Sequence, residues 1–518
     1  MMRSVDRRTE GRRGADPQVD RATGALPAAR LLLVATDPGA AAVLLAEAAG
    51  PARVSVVCPE PGDPQGQAEF ARAAAGAAGR GTPVEGAPRQ PVGERLTEAL
   101  LRELYAVQPA RVLTQDPLAG RDGEPAGQRE SALVLALLDA VAQYQRETGR
   151  PVFTDCRVIE APAGRPASSR PRYPAPRDWL VRGTDGRLTA YLPVPGAVVR
   201  WTEGPDGAFG GPELLQVPGL LPALTVVQGP DGYVRLLGLR RLAQGADWST
   251  EVVCALQYQS GRPLGPWHTK NNPHRSEPER GKYVGLPAAV CDRAGTLHLF
   301  VRNDLHTLNH CYERENGSWS GWTLLRGTRT AEDLAALALP DGGVELYARL
   351  RDRPGTARWH RGGPDGTWAE DGGPAVHAAP GSLAAAPESG ALRFRYAETG
   401  EPCEWRRGAP GPVGLNAPGV TGRITGTSGV PVGGWSCTVL AAADADGRCA
   451  IGTYVDGTPE SGVWWSSTAQ RTVVPPAVVR DRTGRVIIAT MGPDARLSVS
   501  RQIPGQALDF GVWQSAGD

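Results

Sequence analysis

A tight turn followed by an apolar strand recurs through the second half of this 518-residue chain. The turn is often Asp-Gly, as in Asp231-Gly232, which is typical of a β-hairpin. The glycines that mark it are Gly186, Gly232, Gly295, Gly342, Gly390, Gly447 and Gly484, on average about 50 residues apart. An all-β repeat of roughly 40–50 residues is typical of propeller blades. Seven marks therefore predict a seven-bladed β-propeller over residues 179–518.

The first half of the chain has a different periodicity. Residues 29–160 alternate short apolar runs with helical stretches, and the runs at 31–34, 54–57, 112–114 and 152–154 are predicted strands. Continuous apolar strands separated by helices predict a buried, Rossmann-like parallel sheet. The fold class is thus multidomain, an α/β layer followed by an all-β propeller. The polar residues 1–28 are predicted to be a disordered tail, and the proline-rich residues 161–178 a linker.

Charge, hydropathy and cysteine spacing limit the partners that we expect. The 56 basic and 55 acidic residues nearly cancel, so nothing predicts a nucleic-acid partner. No apolar run approaches the roughly 18–20 residues of a membrane span, and no apolar segment follows the N-terminal arginine pairs. The eight cysteines include no CxxC pair. We expect a cytoplasmic, reduced protein that binds a small molecule or a carbohydrate.

Several segments resemble a known pair of modules. Asp116-Pro117 and Asp155-Cys156 each follow a predicted strand, and the segment 295–302 is a blade-like strand followed by Trp319-Ser320-Gly321-Trp322. The first half resembles the PIG-L-type zinc-dependent N-acetylglucosamine deacetylases, and the second half resembles seven-bladed fucose-binding bacterial lectins. The resemblance covers nearly the whole chain. It implies an α/β domain of hydrolase ancestry and a lectin-like propeller.

The zinc motifs of that family are altered here. Its Ala-His-Pro-Asp-Asp-Glu motif corresponds to residues 35–40, where Thr36 replaces the histidine and Pro38 and Gly39 replace the aspartates. Its His-x-Asp-His motif corresponds to residues 127–130, which end in Glu130. All seven histidines lie at or beyond position 268. A hydrolytic zinc needs three protein ligands, so the resemblance implies no metal and no other cofactor, with Thr36 and Glu130 left as ligand-binding candidates.

Three aspartates are catalytic candidates in the first half. Asp37, Asp116 and Asp155 follow predicted strands, and ligands of parallel sheets bind beyond the carboxyl ends of strands. Converging carboxyl groups would raise one another's pKa and act as acid and base, or hold a hard cation. Alternatively, the three residues cap turns or helices.

A second group of candidates lies in the propeller, where the step from Gly232 to Gly295 is longer than the others. A lysine beside a histidine on a loop is a possible base or nucleophile, which makes His268 and Lys270 catalytic candidates. Alternatively, this is a solvated loop that docks the two domains together. The ligand-binding candidates of the segment are Trp267, His274, Lys282 and Tyr283.

These observations leave several functions open. The first is a repurposed, metal-independent enzyme that acts on a small molecule by cyclisation, elimination or rearrangement, in bacterial specialised-metabolite (natural product) biosynthesis. The second is a catalytically inactive, deacetylase-like protein that binds carbohydrate through its propeller, where recurrent tryptophans either pack the blades or stack on sugars. An interaction scaffold and residual deacetylation are further alternatives.

Overall fold

The computed structural model describes residues 29–46, 48, 52–91, 95–119, 126–160, 167–244, 247–259, 262–274, 277–363, 366–374, 376–417, 419–505 and 507–517. The predicted disordered tail, residues 1–28, and the first part of the predicted linker, residues 161–166, lie outside the described residues. Of the helices in the described part, none combines the length and the hydropathy that a bilayer crossing requires.

The first half is a parallel sheet with helices, as the alternating pattern predicts. Its strands pair in the order β2-β1-β3-β4-β5, and only β5 runs antiparallel to its neighbour. The strands are β1 (Ala29–Val34), β2 (Ala52–Val57), β3 (Arg111–Gln115), β4 (Phe153–Glu160) and β5 (Ser168–Pro171). The helices are α1 (Pro38–Ala46), α2 (Pro64–Gly79), α3 (Leu96–Val107) and α4 (Gln128–Thr148). Strand β5 lies inside the predicted linker, which is therefore structured there.

The sequence explains why these elements are buried. Strands β1 and β2 end in continuous apolar runs, and the sheet packs α1 on one side and α3 with α4 on the other. Helix α1 is almost entirely small or aliphatic, and its residues Pro38–Leu45 are all buried. Strands covered on both faces have no solvated side to carry polar residues. This leaves polar chemistry to the strand ends.

The second half forms seven four-stranded antiparallel sheets, each built from four consecutive strands. The seven-bladed propeller is thereby confirmed. Blade 1 consists of β6 (Leu180–Arg182), β7 (Leu188–Val194), β8 (Ala197–Thr202) and β9 (Glu213–Gln216), and blade 2 of β10 (Leu220–Gln228), β11 (Val234–Gln244), β12 (Asp247–Gln257) and β13 (His268–Asn271). Blade 3 consists of β14 (Ala288–Cys291), β15 (Leu297–Arg302), β16 (Leu308–Tyr312) and β17 (Thr323–Leu325). Blade 4 consists of β18 (Thr330–Ala338), β19 (Val344–Leu350), β20 (Thr356–Arg361) and β21 (Ala369–Asp371). A short helix, α5 (Pro278–Gly281), precedes blade 3.

The remaining three blades complete the ring. Blade 5 consists of β22 (Ala384–Ala386), β23 (Ala391–Arg395), β24 (Pro402–Arg406) and β25 (Val413–Gly414). Blade 6 consists of β26 (Val420–Val432), β27 (Trp435–Asp444), β28 (Arg448–Val455) and β29 (Trp464–Arg471), with a 3-10 turn at Pro459–Ser461. Blade 7 consists of β30 (Ala477–Arg480), β31 (Val486–Met491), β32 (Leu497–Arg501) and β33 (Gln514–Ser515). Blade 7 packs directly against blade 1 through β30 and β6. The ring closes by side-chain packing, since no blade borrows a strand from another.

The marking glycines need one correction. Six of them, such as Gly232, lie in the turn between the first and second strands of a blade. Gly447 instead lies between the second and third strands of blade 6, where the equivalent first turn is Gly433-Gly434. An Asp-Gly pair signals a hairpin but not which hairpin of the blade it closes. We call the propeller edge that carries the first turns the turn rim, and the opposite edge the domain rim.

The α/β half packs on the domain rim. Val134 and Leu138 of α4 belong to one apolar cluster with Leu237 and Leu239 of blade 2. Gln145, also on α4, donates a hydrogen bond of 2.7 Å to the carbonyl of Pro195 in blade 1. Because these contacts include both apolar packing and buried hydrogen bonds, the two halves share a continuous core.

Candidate functional site

The end of β1 is closed by local hydrogen bonds. The Thr36 amide donates to Gln115 Oε1 at 2.9 Å, and the Thr36 hydroxyl lies 3.1 Å from the same oxygen. Asp37 Oδ1 accepts a hydrogen bond from the Ala40 amide at 3.0 Å, which caps the first turn of α1. Thr36 is buried, and Asp37 is half-buried with its other oxygen, Oδ2, bonded by the Thr36 hydroxyl at 3.0 Å. Both residues are therefore used in local hydrogen bonds.

Asp116 takes part in a buried charge network that reaches the propeller. Its Oδ2 lies 3.3 Å from Arg172 Nε, and both side chains are buried. Arg172 also pairs with Glu332 of blade 4, which in turn pairs with Arg302 of blade 3. Burial raises the pKa of Asp116, and Arg172 opposes that rise. The sheet edge is thus an interface with the propeller.

Asp155 is not at a strand end, which corrects the prediction from sequence. It is the third residue of the eight-residue strand β4 and pairs in register with Leu113. Its Oδ2 lies 2.8 Å from Arg157 Nη1. The strand runs on because Val158 and Ile159 continue the buried pattern. The three aspartates therefore do not form one acid–base group: each has its own local partner.

The residues that the sequence resemblance aligns with zinc ligands do not fit a metal. Pro38 and Gly39 have no ligating side chain, and Thr36 is bonded to Gln115. Glu130 Oε2 accepts a hydrogen bond of 2.9 Å from the Gly127 amide, as the capping box of α4. Within the described ranges, no three His, Cys, Asp or Glu side chains cluster as metal ligands would.

The candidate catalytic and ligand-binding residues of the segment 267–283 lie in different surroundings in the structure. This segment is not one open loop, because it contains the outer strand β13 and helix α5. Lys270 Nζ lies 4.2 Å above the Trp319 ring, whereas His274 is buried with its Nε2 2.8 Å from Asp304 Oδ1. Burial lowers the pKa of Lys270 and of His274.

The remaining members of that segment have unrelated surroundings. Trp267 packs against the apolar cluster between blades 1 and 2. His268 is exposed at the start of β13, and Lys282 Nζ pairs with Glu279 at 2.9 Å. Tyr283 is exposed. These side chains belong to the outer part of blade 2 and its connection to blade 3, so they do not converge on one reacting centre.

A cavity lies at the centre of the propeller. It has a volume of about 270 Å³ and is lined by the inner strands of blades 2 to 5, by Arg423 on the inner strand of blade 6 and by seven residues between Arg170 and Asp178. We call it the axial cavity. Its wall is mostly alanine, valine, leucine and proline, and its charged side chains include Arg177, Glu332, Asp333 and Arg423. Sequence reasoning missed it because inner-strand residues of different blades meet only in the closed ring.

Two tryptophans of blade 6 differ from the others. Trp179, Trp201 and Trp359 are fully buried, whereas Trp435 is 65% exposed and Trp464 62% exposed. Each begins a strand at the turn rim, β27 and β29 respectively. Strand pairing puts Val439, Thr453 and Trp464 in one row, so the two tryptophans lie on the same face of blade 6. That face is turned towards blade 7, because Val439 packs there with Val486 and Ile488.

Polar groups accompany the two tryptophans at the turn rim. Asp456 accepts hydrogen bonds from the Ser436 hydroxyl at 2.6 Å and the Gly429 amide at 3.0 Å. Arg480 of blade 7 donates to the Gly429 carbonyl at 2.8 Å. The exposed guanidinium therefore spans the junction of the two blades. Asp456 lies on the opposite face of blade 6, because its hydroxyl donors Ser436 and Thr438 alternate with Trp435 along β27. We call Trp435, Trp464 and Arg480 the aromatic rim site. The recurrent tryptophans were the only sequence signal for it.

Comparison with known proteins gives the following. No protein-family model and no curated protein sequence matches the chain. Similar solved structures include the BP39L lectin from Burkholderia pseudomallei, at 13% identity over 67% of this chain and 99% of that chain, with a TM-score of 0.49. The Aleuria aurantia lectin in complex with Fucα1-6GlcNAc matches at 12% identity over 58% and 98%, with a TM-score of 0.32. An ulvan lyase matches at 11% identity over 64% and 92%, with a TM-score of 0.40. At these scores the blade architecture rests on the strand pairing described above.

Proposed function

We propose that this protein binds carbohydrate through the aromatic rim site, and that residues 29–160 and 179–518 are two domains joined by 161–178. The observation that carries the proposal is the exposure of Trp435 and Trp464 on one face of blade 6. Burying a tryptophan ring removes a large apolar area from water, so a ligand that covers these exposed rings gains that burial on binding.

The chemistry of the site suits a sugar. A pyranose has an apolar face that stacks on an aromatic ring and a rim of hydroxyls that need donors and acceptors. Arg480 supplies guanidinium donors for those hydroxyls. The two tryptophans start strands separated by β28. We estimate roughly 16 Å between their Cα atoms from about 3.3 Å per residue and 4.8 Å per strand, which suits an oligosaccharide of several units.

Glycan-array screening of the full chain, followed by titration calorimetry with the best ligand, tests this proposal. We expect Trp435→Ala and Trp464→Ala each to weaken binding at least tenfold, and the phenylalanine variants to retain part of it. Leu324→Ala is the matched control, because Leu324 is also an exposed large apolar residue, 53% exposed, but lies in blade 3. An array without a bound glycan, or binding that survives both alanine substitutions, would overturn the proposal.

The relationship of the α/β half to PIG-L-type deacetylases is a further proposal. It is supported by the sheet with helices on both faces and by the positions of residues 35–40 and 127–130 after β1 and before α4. In this interpretation Thr36 and Glu130 have exchanged ligand chemistry for structural hydrogen bonds. The half then serves as a platform that binds the domain rim.

Metal-independent catalysis at the sheet edge is the second candidate function, and one observation favours it. Asp116 is a buried carboxyl whose pKa burial raises, which is a property of general acids. The test is mass-spectrometric detection of a product formed from a small-molecule library by cyclisation, elimination or rearrangement, compared between the wild type and Asp116→Asn. Product formation that depends on Asp116 would support catalysis, and it would leave the carbohydrate proposal to be decided by the tryptophan variants alone.

A further inference from the structure

The positive and negative side chains that line the axial cavity are unequal in number. Four arginines line it, Arg170, Arg172, Arg177 and Arg423, against three carboxylates, Asp178, Glu332 and Asp333. Each carboxylate already has an arginine partner: Arg177 lies 2.9 Å from Asp178, Arg349 lies 2.9 Å from Asp333, and Glu332 pairs with Arg172 and Arg302. The lining arginines Arg170 and Arg172 also pair with carboxylates outside the wall, Glu160 and Asp116. Among the described residues this leaves one lining arginine without a carboxylate partner, and its positive charge is in excess.

Arg423 carries that excess charge. Within the described part of the chain, its only polar contact is a long hydrogen bond of 3.4 Å from Nε to the Gly381 carbonyl, and no carboxylate oxygen lies within 4.0 Å. Burial lowers its pKa, with Asp333 opposing. A guanidinium remains charged even so. A partly buried cation without a counter-ion is unfavourable, and a bound anion would relieve that cost.

The rest of the wall defines the kind of anion. Small apolar side chains such as Ala289, Ala336 and Ala385 line the cavity, and none of them offers a hydrogen-bond donor. The cavity is at the small end of the range for ligand sites. One surplus charge matches a monoanion, and a planar carboxylate fits a guanidinium with two parallel hydrogen bonds.

We propose that the axial cavity is a binding site for a small monocarboxylate with an apolar body, whose carboxylate pairs with Arg423. This site is separate from the aromatic rim site, since it lies inside the ring and takes a different chemical class. It does not depend on the carbohydrate proposal.

The test is titration calorimetry of the full chain with benzoate and hexanoate. Their neutral isosteres, benzamide and hexanamide, and inorganic phosphate are the comparison ligands. We expect one carboxylate per chain, binding at least tenfold more tightly than its amide and more tightly than phosphate. Arg423→Gln should remove this preference, and Arg423→Lys should retain part of it because the charge remains.

Arg448→Gln is the matched control, since Arg448 is an exposed arginine of the same blade, outside the cavity wall. It should bind like the wild type. Circular dichroism of each variant confirms folding, and the comparison of acid with amide on the wild type needs no variant. Absence of carboxylate binding, equal affinity for acid and amide, or an unchanged preference in Arg423→Gln would overturn the proposal. Failure of glycan binding would leave this result unaffected.

Discussion

Asp116 and Arg172 form an ion pair across 3.3 Å with both side chains almost completely buried. Asp116 directly follows the strand β3 of the α/β sheet, and Arg172 directly follows the antiparallel strand β5. Through Glu332 the pair is continuous with the propeller. The strand end, where parallel sheets bind their ligands, is here part of the attachment between the two halves.

Removing the arginine tests that attachment. Arg172→Met leaves Asp116 buried without a partner, and we expect a loss of about 3–5 kcal/mol in the free energy of unfolding. Urea denaturation measures it. The control is Arg53→Met, because Arg53 pairs with Glu85 at 3.6 Å with more than half of its side chain exposed. An exposed pair contributes about 0–1 kcal/mol. Equal losses in the two variants would contradict the assigned role.

The lowered pKa of Glu332 leads us to expect that acid weakens the contact between the two halves. Burial alone would raise its pKa, but Arg172 and Arg302 lower it from 4.5 to about 2. The folded form then binds its proton less readily than the unfolded form, so the stabilisation is complete above pH about 4.5 and is lost as pH falls towards 2. We expect a loss of about 3 kcal/mol in that window. Glu332→Gln should flatten the melting temperature against pH there, and a curve parallel to the wild type would refute the account.

The lowered pKa of His310 leads us to expect a second loss of stability, which begins at a higher pH. Burial, with His298 and Arg361 nearby, lowers the pKa of His310 from 6.5 to about 3. A histidine held neutral in the fold stabilises it above pH 6.5 and loses that contribution as pH falls towards 3. His310→Phe should reduce the acid slope between pH 6.5 and 4.5, where Glu332 has little effect. Melting curves at half-unit pH steps would show it. An unchanged slope would mean that His310 does not titrate in this range.

The exposed tryptophans should be dispensable for folding. Trp435→Ala and Trp464→Ala should change the free energy of unfolding by no more than about 0.5 kcal/mol, as expected for surface positions. Trp201→Ala is the contrast, since Trp201 is 1% exposed and stacks on Phe153. Its loss should cost about 3–5 kcal/mol. Thermal unfolding compares all three, and strong destabilisation by the rim variants would instead assign them a packing role.

Gly196 tests the contact between the halves without altering a charge. Its φ is +74°, and an added Cβ would lie 2.7 Å from the Ala142 Cβ on α4. Gly149 has a similar φ of +69° but open space around it. Gly149→Ala should cost about 1 kcal/mol from backbone strain alone. Gly196→Ala should cost about 1–3 kcal/mol more, because α4 must move. Denaturation of both variants separates the two effects, and equal losses would show that the halves separate easily here.

The sequence by itself determined the architecture of this protein. Hairpin turns at a spacing of about 50 residues and alternating strands and helices are local patterns, and local patterns suffice to define blades and a parallel sheet. Even the misplaced mark at Gly447 left the blade count intact, since Gly433-Gly434 closes the same sheet. The absence of histidine before His268 was equally visible in the sequence.

Only the tertiary structure decided what the candidate residues do. Asp116 and Glu130 are both carboxylates near strand or helix ends, yet one is in an ion pair between the halves and the other caps a helix. Arg172 and Glu332 are 160 residues apart, so no pattern in the chain indicates that they meet. The exposure of Trp435 also arises from the closed ring, as does the position of Arg423 away from every carboxylate of the described residues. Burial and long-range pairing are properties of packed elements, and the order of residues does not encode them locally.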